Sequence, residues 1–303
     1  MDIDAPTHVE ATRAEGLWFE DCGLIIQAEN TLFRVSRDFL ATQSPVFRDM
    51  LAIPTPPDAE TRDGCPFVRL PDSATDVTVF LKAMVYFDFF EAPPAETTLE
   101  ILIGVLRMSH KYEVDALRKR ALAHLSPLHP TTLEEWEKTP GTNWISGPWA
   151  KQLLEKEGIP LIPLARQLSL DWILPVAFYR VCQSAQGGDI INSSILTTQD
   201  KILCVEGRHT LTTENSRLFQ FLSNPKDVAG CPTPHQCLQN KVESQLVVEV
   251  VRTYGGLPLD KWDLETPWRS RLCGVCLAAM KDGLQAAKRD LWDKLPELFE
   301  LPP

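Results

Sequence analysis

The sequence has no run of eighteen or more apolar residues, which argues against a membrane-spanning helix. Its opening, MDIDAPTHVE, contains neither a basic n-region nor an apolar h-region, so a secretory leader is not expected. Positive charge is scarce: 30 Lys and Arg stand against 41 Asp and Glu, a net charge of −11. A protein that grips nucleic acid must neutralise phosphates, and this acidic excess disfavours direct binding. Motifs of nucleotide and hydrolase chemistry are missing too. There is no G-x-G-x-x-G, no G-x-x-x-x-G-K-[ST], no G-x-S-x-G and no H-E-x-x-H. Gly187-Gly188 and Gly255-Gly256 lack the spacing that lets backbone amides cradle a phosphate. Internal repeats and low-complexity tracts are likewise absent.

What is there is a soluble, globular composition. The chain has 303 residues and 34.1 kDa, more than one typical core needs, so two joined units are expected. Hydrophobic residues make up 44% and charged residues 23%, enough apolar material to exclude wholesale disorder. The eight cysteines, without a secretory signal, are expected as free thiols in a reducing compartment, cytoplasmic and/or nuclear.

Residues 1–16 carry four acids and one Arg and are read as a loose tail. Leu24-Ile25-Ile26-Gln27 and Leu32-Phe33-Arg34-Val35, separated by Ala28 to Thr31, predict a hairpin. Asp38-Phe39-Leu40 opens a short helix. Ser44-Pro45 starts another, with Ser as N-cap and Pro where its missing N–H is harmless. Ile53–Asp63, with three prolines, reads as an exposed loop, and Phe67–Leu70 as a third strand. Helices follow. Val77, Phe80, Leu81 and Met84 share one face, Thr97-x-x-Glu100 forms a capping box, and Val114, Leu117, Ala121 and Leu125 mark another helix. Thr131-x-x-Glu134 caps a short helix through Trp136.

Breakers crowd 139–160 and place the domain boundary there. Beyond them Leu161 to Val176 suggests helix, with Trp172-Ile173-Leu174-Pro175 buried. Gly187 to Pro234 gives weak signals, and Val242, Leu246, Val247 and Val250 form a further helical face. Leu277, Met280, Leu284, Ala287 and Leu291 predict a packed terminal helix. The fold class is α+β: an N-terminal unit with a small sheet flanked by helices, then a mostly α-helical C-terminal domain.

Gly23-Leu24-Ile25-Ile26, then Leu32 to Ala41, then Ser44-Pro45-Val46-Phe47-Arg48-Asp49-Met50-Leu51 together resemble the start of a BTB/POZ domain. Val105 to Leu117, with Lys111-Tyr112-Glu113-Val114, is similar to that family's A-x-K-Y-x-V-x-x-L stretch. The resemblance covers 17–126. The long chain, Asp63-Gly64-Cys65-Pro66 and the ending Trp292 to Phe299 resemble the BTB proteins expanded in mushroom-forming fungi. Two departures stand out. Ser36 occupies a position where the family usually has His, and Ile53–Asp63 lacks a clear hydrophobic-x-Glu segment of the kind cullin-binding members carry.

The resemblance implies a non-enzymatic protein-interaction module, partnered by itself as a homodimer or by another protein. The domain plan is a 1–16 tail, a 17–126 BTB/POZ-like domain, a 127–160 helix and linker, and a 161–303 helical domain holding a cysteine-pair region, 231–276. Leu17, Trp18 and Phe19 either pack on their own domain or, with Phe39 and Leu40, form the candidate interface, because Trp and Phe concentrate at interface centres. An adaptor for a cullin-type ubiquitin ligase and a transcription-associated regulator acting through a DNA-binding partner are the alternatives. Residues 17–126 hold 11 basic and 16 acidic side chains, so that domain offers no positive field to steer DNA.

Catalytic residues are not expected. The six histidines do not cluster in sequence, and the acids Glu134, Glu135, Asp282 and Asp290 read as caps and solvated faces. The C-terminal cysteines carry more. Cys231-x5-Cys237 lies in a Gly/Pro-rich loop and Cys273-x2-Cys276 precedes the last helix, so the four are candidate ligands of a structural zinc, with His235 as a substitute. Unmetallated structural thiols and a redox C-x-x-C are the competing readings.

Overall fold

A computed structural model describes residues 11–54, 59–138, 158–218, 228–243, 256–260 and 271–302. The chain divides into two compact units, the first ending at Ser126 and the second beginning at Pro127. The architecture is mixed α+β: a five-stranded sheet in the first unit, with helices dominating the rest.

The predicted hairpin forms β2 (Leu24–Ala28) and β3 (Thr31–Val35), in antiparallel register from Leu24↔Val35 to Ala28↔Thr31. Two residues connect them. Glu29 takes a left-handed φ of 49°, and its carbonyl accepts from the Gln27 side chain at 2.7 Å. β5 (Cys65–Leu70) lies parallel to β2, and the two-residue β4 (Thr61–Arg62) returns antiparallel on β5. The expected three strands become five for two reasons: the segment expected as a loop over Ile53–Asp63 pairs at Thr61–Arg62, and the tail is not loose from Thr12 onward. Thr12–Trp18 is an edge strand, β1, parallel to β3, in the order β1-β3-β2-β5-β4. Its sequence, TRAEGLW, buries only Ala14 and Leu17 between exposed residues, and a register shift falls between Arg13 and Trp18 where Gly16 has φ 73°. Pairing with β3, not an apolar alternation of its own, makes it a strand.

Among the described residues this unit also holds α1 (Arg37–Gln43), α2 (Pro45–Ala52), α3 (Ala74–Val85), α4 (Leu99–Lys111) and α5 (Asp115–Leu125). Ser44 links several of them. Fully buried, it accepts from the Phe47 amide at 3.0 Å to cap α2 and donates to the Tyr112 carbonyl at 2.5 Å after α4. Tyr112 stacks on Phe47 at 4.5 Å and donates its hydroxyl to Asp72 at 2.7 Å, while Lys111 pairs with the same carboxylate at 2.6 Å. The Lys-Tyr pair therefore closes the corner between α2, α3 and α4. The cap of α4 is Thr98, which accepts from Ile101 at 3.2 Å; Thr97 is buried beside it.

The second unit contains α6 (Leu133–Lys138), α7 (Leu161–Gln167), α8 (Leu174–Ser184), α9 (Gly187–Asn192), α10 (Thr198–Leu218), α11 (Pro234–Glu243) and α12 (Gly274–Leu298) among the described residues. Thr132, not Thr131, caps α6, accepting from Glu135 while the Glu135 carboxylate receives the Thr131 amide. Residues 127–138 pack with this unit: Trp136 donates to the Leu259 carbonyl at 2.8 Å, and Arg180 donates to the Leu128 carbonyl at 2.9 Å. Ile173 and Leu174 are buried as expected, but Trp172 is 37% exposed. The weak region 187–234 contains the 21-residue α10. The expected breakers at 139–157 and the helical face at Leu246, Val247 and Val250 lie outside the described residues. Among the described residues no helix is long and apolar enough to cross a membrane.

Candidate metal centre and apolar groove

The cysteine pairs, distant in sequence, meet in the second unit. Cys231 sits in the turn before α11, Cys237 in its first turn, Cys273 at the N-cap of α12 and Cys276 one turn inside it. Their four Sγ atoms lie within 4.8 Å of one another, and Cys231 is 3.6 Å from Cys273 and 3.5 Å from Cys276. A tetrahedron with metal–sulfur bonds of about 2.3 Å has sulfur–sulfur edges of about 3.8 Å, so the donor set fits a four-thiolate cation site. His235 is exposed and stands outside the group.

Local backbone donors favour the thiolate form. The Cys273 amide donates to Cys237 at 3.4 Å, and the Cys276 amide donates to Cys273 at 3.4 Å. The N-terminus of α12 adds its partial positive charge. Burial opposes ionisation of Cys237, but the Thr233 hydroxyl and the Cys273 amide bring its pKa down to about 7. Burial pushes Cys231 and Cys276 upward. Behind the sulfurs Leu218, Leu272 and Met280 form an apolar cluster with Cys237 and Cys276, and Val228, Leu277 and Leu284 pack against it.

In the first unit the five candidate interface residues separate. Leu17 and Leu40 are fully buried, so the expectation that they form an outward surface is corrected. Trp18 covers its own sheet, packing against the cluster of Ile25, Leu32 and Cys65. That cover explains why Ile25, on the opposite face from Leu24 and Ile26, is also buried. Arg13 stacks 4.2 Å over the indole, whose N–H donates to Glu20 at 3.0 Å. Phe19 and Phe39 stay half-buried and line a largely apolar cavity of about 290 Å³ with Val35, Leu81, Met84 and Val85. Ser36, which also lines it, caps α1 by accepting from the Phe39 amide at 3.2 Å. Sequence reading missed Met84 and Val85 as groove residues. Val85 ends α3 where the backbone turns extended, and the groove needs that end set beside α1.

Two other polar clusters are tied to the backbone. Tyr179 donates to Asp260 at 3.2 Å and accepts from the Leu259 amide at 2.9 Å, while Gln183 donates to Asp260 at 2.6 Å. This network pins residues 257–260 to α8. His124, buried on α5, places Nε2 2.9 Å from the Glu91 carbonyl, and Arg120 donates to the Phe90 carbonyl at 2.7 Å. Compared with protein-family models, with curated proteins and with solved structures, the chain matches none of them.

Proposed function

We propose that this protein is a non-enzymatic interaction protein, its first unit a BTB/POZ-type module that self-associates, its second unit stapled by a structural zinc. The observation that carries the first part is the apolar groove. Two half-buried aromatics, Phe19 and Phe39, border about 290 Å³ of largely apolar space beside the sheet. Aromatic side chains left partly uncovered around an apolar depression are what interface centres are made of. Support also comes from the ordered sequence motifs, and from the Lys111-Tyr112 pair closing the helical corner. Light scattering on the full chain at tens of micromolar should give a dimer mass. Phe19→Asp with Phe39→Asp should give a monomer with an unchanged circular dichroism spectrum. A wild-type monomer would sink this reading.

For the second unit, four converging sulfurs with amide donors make a closed site of the kind that holds zinc for structure. The metal would tie the turn before α11 to the start of α12 and contribute folding energy, because the unfolded chain has no preformed site. Elemental analysis of protein purified without chelator should find one zinc per chain, and Cys276→Ser should lose it. Iron in place of zinc would correct the metal, since four thiolates also suit iron.

A further inference from the structure

The four sulfurs divide into two kinds by access. Cys237 and Cys276 are 2% and 1% exposed and belong to the apolar cluster, whereas Cys231 and Cys273 are half-buried and only lean against it. Each of the accessible pair has a glycine beside it, Gly230 before Cys231 and Gly274 after Cys273. A Cβ at either glycine would have open space around it among the described residues. A small solute can therefore approach both thiols from the side on which the buried pair is closed.

The same two sulfurs face each other at 3.6 Å across 42 residues of chain. A disulfide bond is about 2.05 Å long, so the 3.6 Å gap has about 1.5 Å to close. Cys231 also has Cys276 at 3.5 Å, but that sulfur is shielded from solvent. Starting from either exposed thiol, the other exposed thiol is already in reach, so a Cys231–Cys273 bridge is open to both routes. A bridge to Cys276 has to start from its partner alone. Redox-sensing cysteines share this arrangement, an accessible thiol with a second thiol poised to resolve it.

We propose that Cys231 and Cys273 form an oxidative modification site, at which a hydroperoxide converts the two thiolates to a disulfide and the four-cysteine centre gives up its metal. With hydrogen peroxide, one thiolate attacks a peroxide oxygen; the S–O bond forms as the O–O bond breaks, leaving a sulfenic acid and hydroxide. The second thiolate attacks that sulfur, the S–S bond forms, the S–O bond breaks and hydroxide departs. The two sulfurs together lose two electrons, the peroxide takes both, and two protons turn the hydroxides into water. Cys237 and Cys276 then remain as the only thiolates where a structural zinc takes four ligands. The staple itself persists, because the new bond joins the same two segments, the turn before α11 and the start of α12. The metal release rests on the zinc reading above; the disulfide needs only the two thiols.

The test uses the zinc-loaded full chain, without substitutions, titrated with hydrogen peroxide. A chromophoric chelator reads the zinc released, and mass spectrometry of peptides maps the disulfide. Zinc should appear in step with a Cys231–Cys273 bridge, one ion for each bridge, and a thiol reductant with added zinc should restore the starting form. The oxidised, zinc-free protein should melt above reduced protein stripped by chelator, because the disulfide replaces the lost staple. A bridge within Cys273-x-x-Cys276, or sulfinic acid at Cys231 with no bridge, would overturn the proposal. So would full retention of zinc after peroxide has oxidised thiols elsewhere in the chain. Purified protein that holds no zinc yet forms the Cys231–Cys273 bridge overturns the metal reading and supports the thiol pair, so the two failures are told apart.

Discussion

Trp18 shows how a single side chain can be assigned two opposite roles by the same sequence. Beside Leu17 and Phe19 it looks like part of an exposed apolar cluster, yet it covers Ile25, Leu32 and Cys65 on the outer face of its own sheet. It is held there by Arg13 above the ring and Glu20 at the indole nitrogen. Trp18→Ala should therefore lower stability by about 2 kcal/mol, less than for a fully buried Trp, and appear as a lower thermal midpoint. Equal midpoints for Trp18→Ala and wild type would return Trp18 to the candidate interface.

At the scale of elements, α10 explains why a long helix can be hard to see. Its buried positions are Asp200, Leu203, Cys204, Gly207, Leu211, Asn215 and Leu218, a regular helical stripe. Three of those seven are Asp, Gly and Asn, while Ile202 and Val205 are exposed, so the apolar periodicity cancels. Each odd residue has a tertiary reason. Asp200 pairs with Arg166 at 2.9 Å, Asn215 donates to the Gly256 carbonyl at 2.8 Å, and Gly207 leaves room for the Phe299 ring, stacked on Phe178 at 5.0 Å. A Cβ at position 207 would collide with that ring and press tightly on Leu298 at 3.2 Å. Gly207→Ala gains up to about 1 kcal/mol in helix propensity but should lose about 1–3 kcal/mol to overpacking. A net fall in the urea midpoint is the expected outcome, and a rise would refute the steric account. The two displaced caps have a common cause. Thr97-Thr98 and Thr131-Thr132 each offer two adjacent hydroxyls, and in both the second one caps.

For the whole molecule, the zinc reading makes stability depend on the metal. A chelator should lower the thermal midpoint of the zinc-bound protein, and added zinc should restore it, as expected when binding favours the folded state. The effect should vanish in Cys276→Ser. A chelator without effect on wild type would leave the sulfurs as packed thiols. Mass from light scattering addresses the other unit separately, because the groove residues Phe19 and Phe39 lie in a different compact unit from the cysteines.

Local patterns carried much of this in the linear chain. The hairpin at 24–35, the Ser44-Pro45 helix start, the amphipathic α3 and the terminal helix each depend on neighbours within a few residues, where propensity and capping act directly. The C-x-x-C at the start of α12 offered candidate soft ligands by spacing alone. Long-range proximity settled the rest: β1 exists because β3 is beside it, and α10 because polar and small residues find partners far along the chain. Cys231 and Cys273, 42 residues apart, face each other, and Lys241 is drawn inward with Cys237. Those contacts depend on which distant segments share a core, and no window of adjacent residues contains that information.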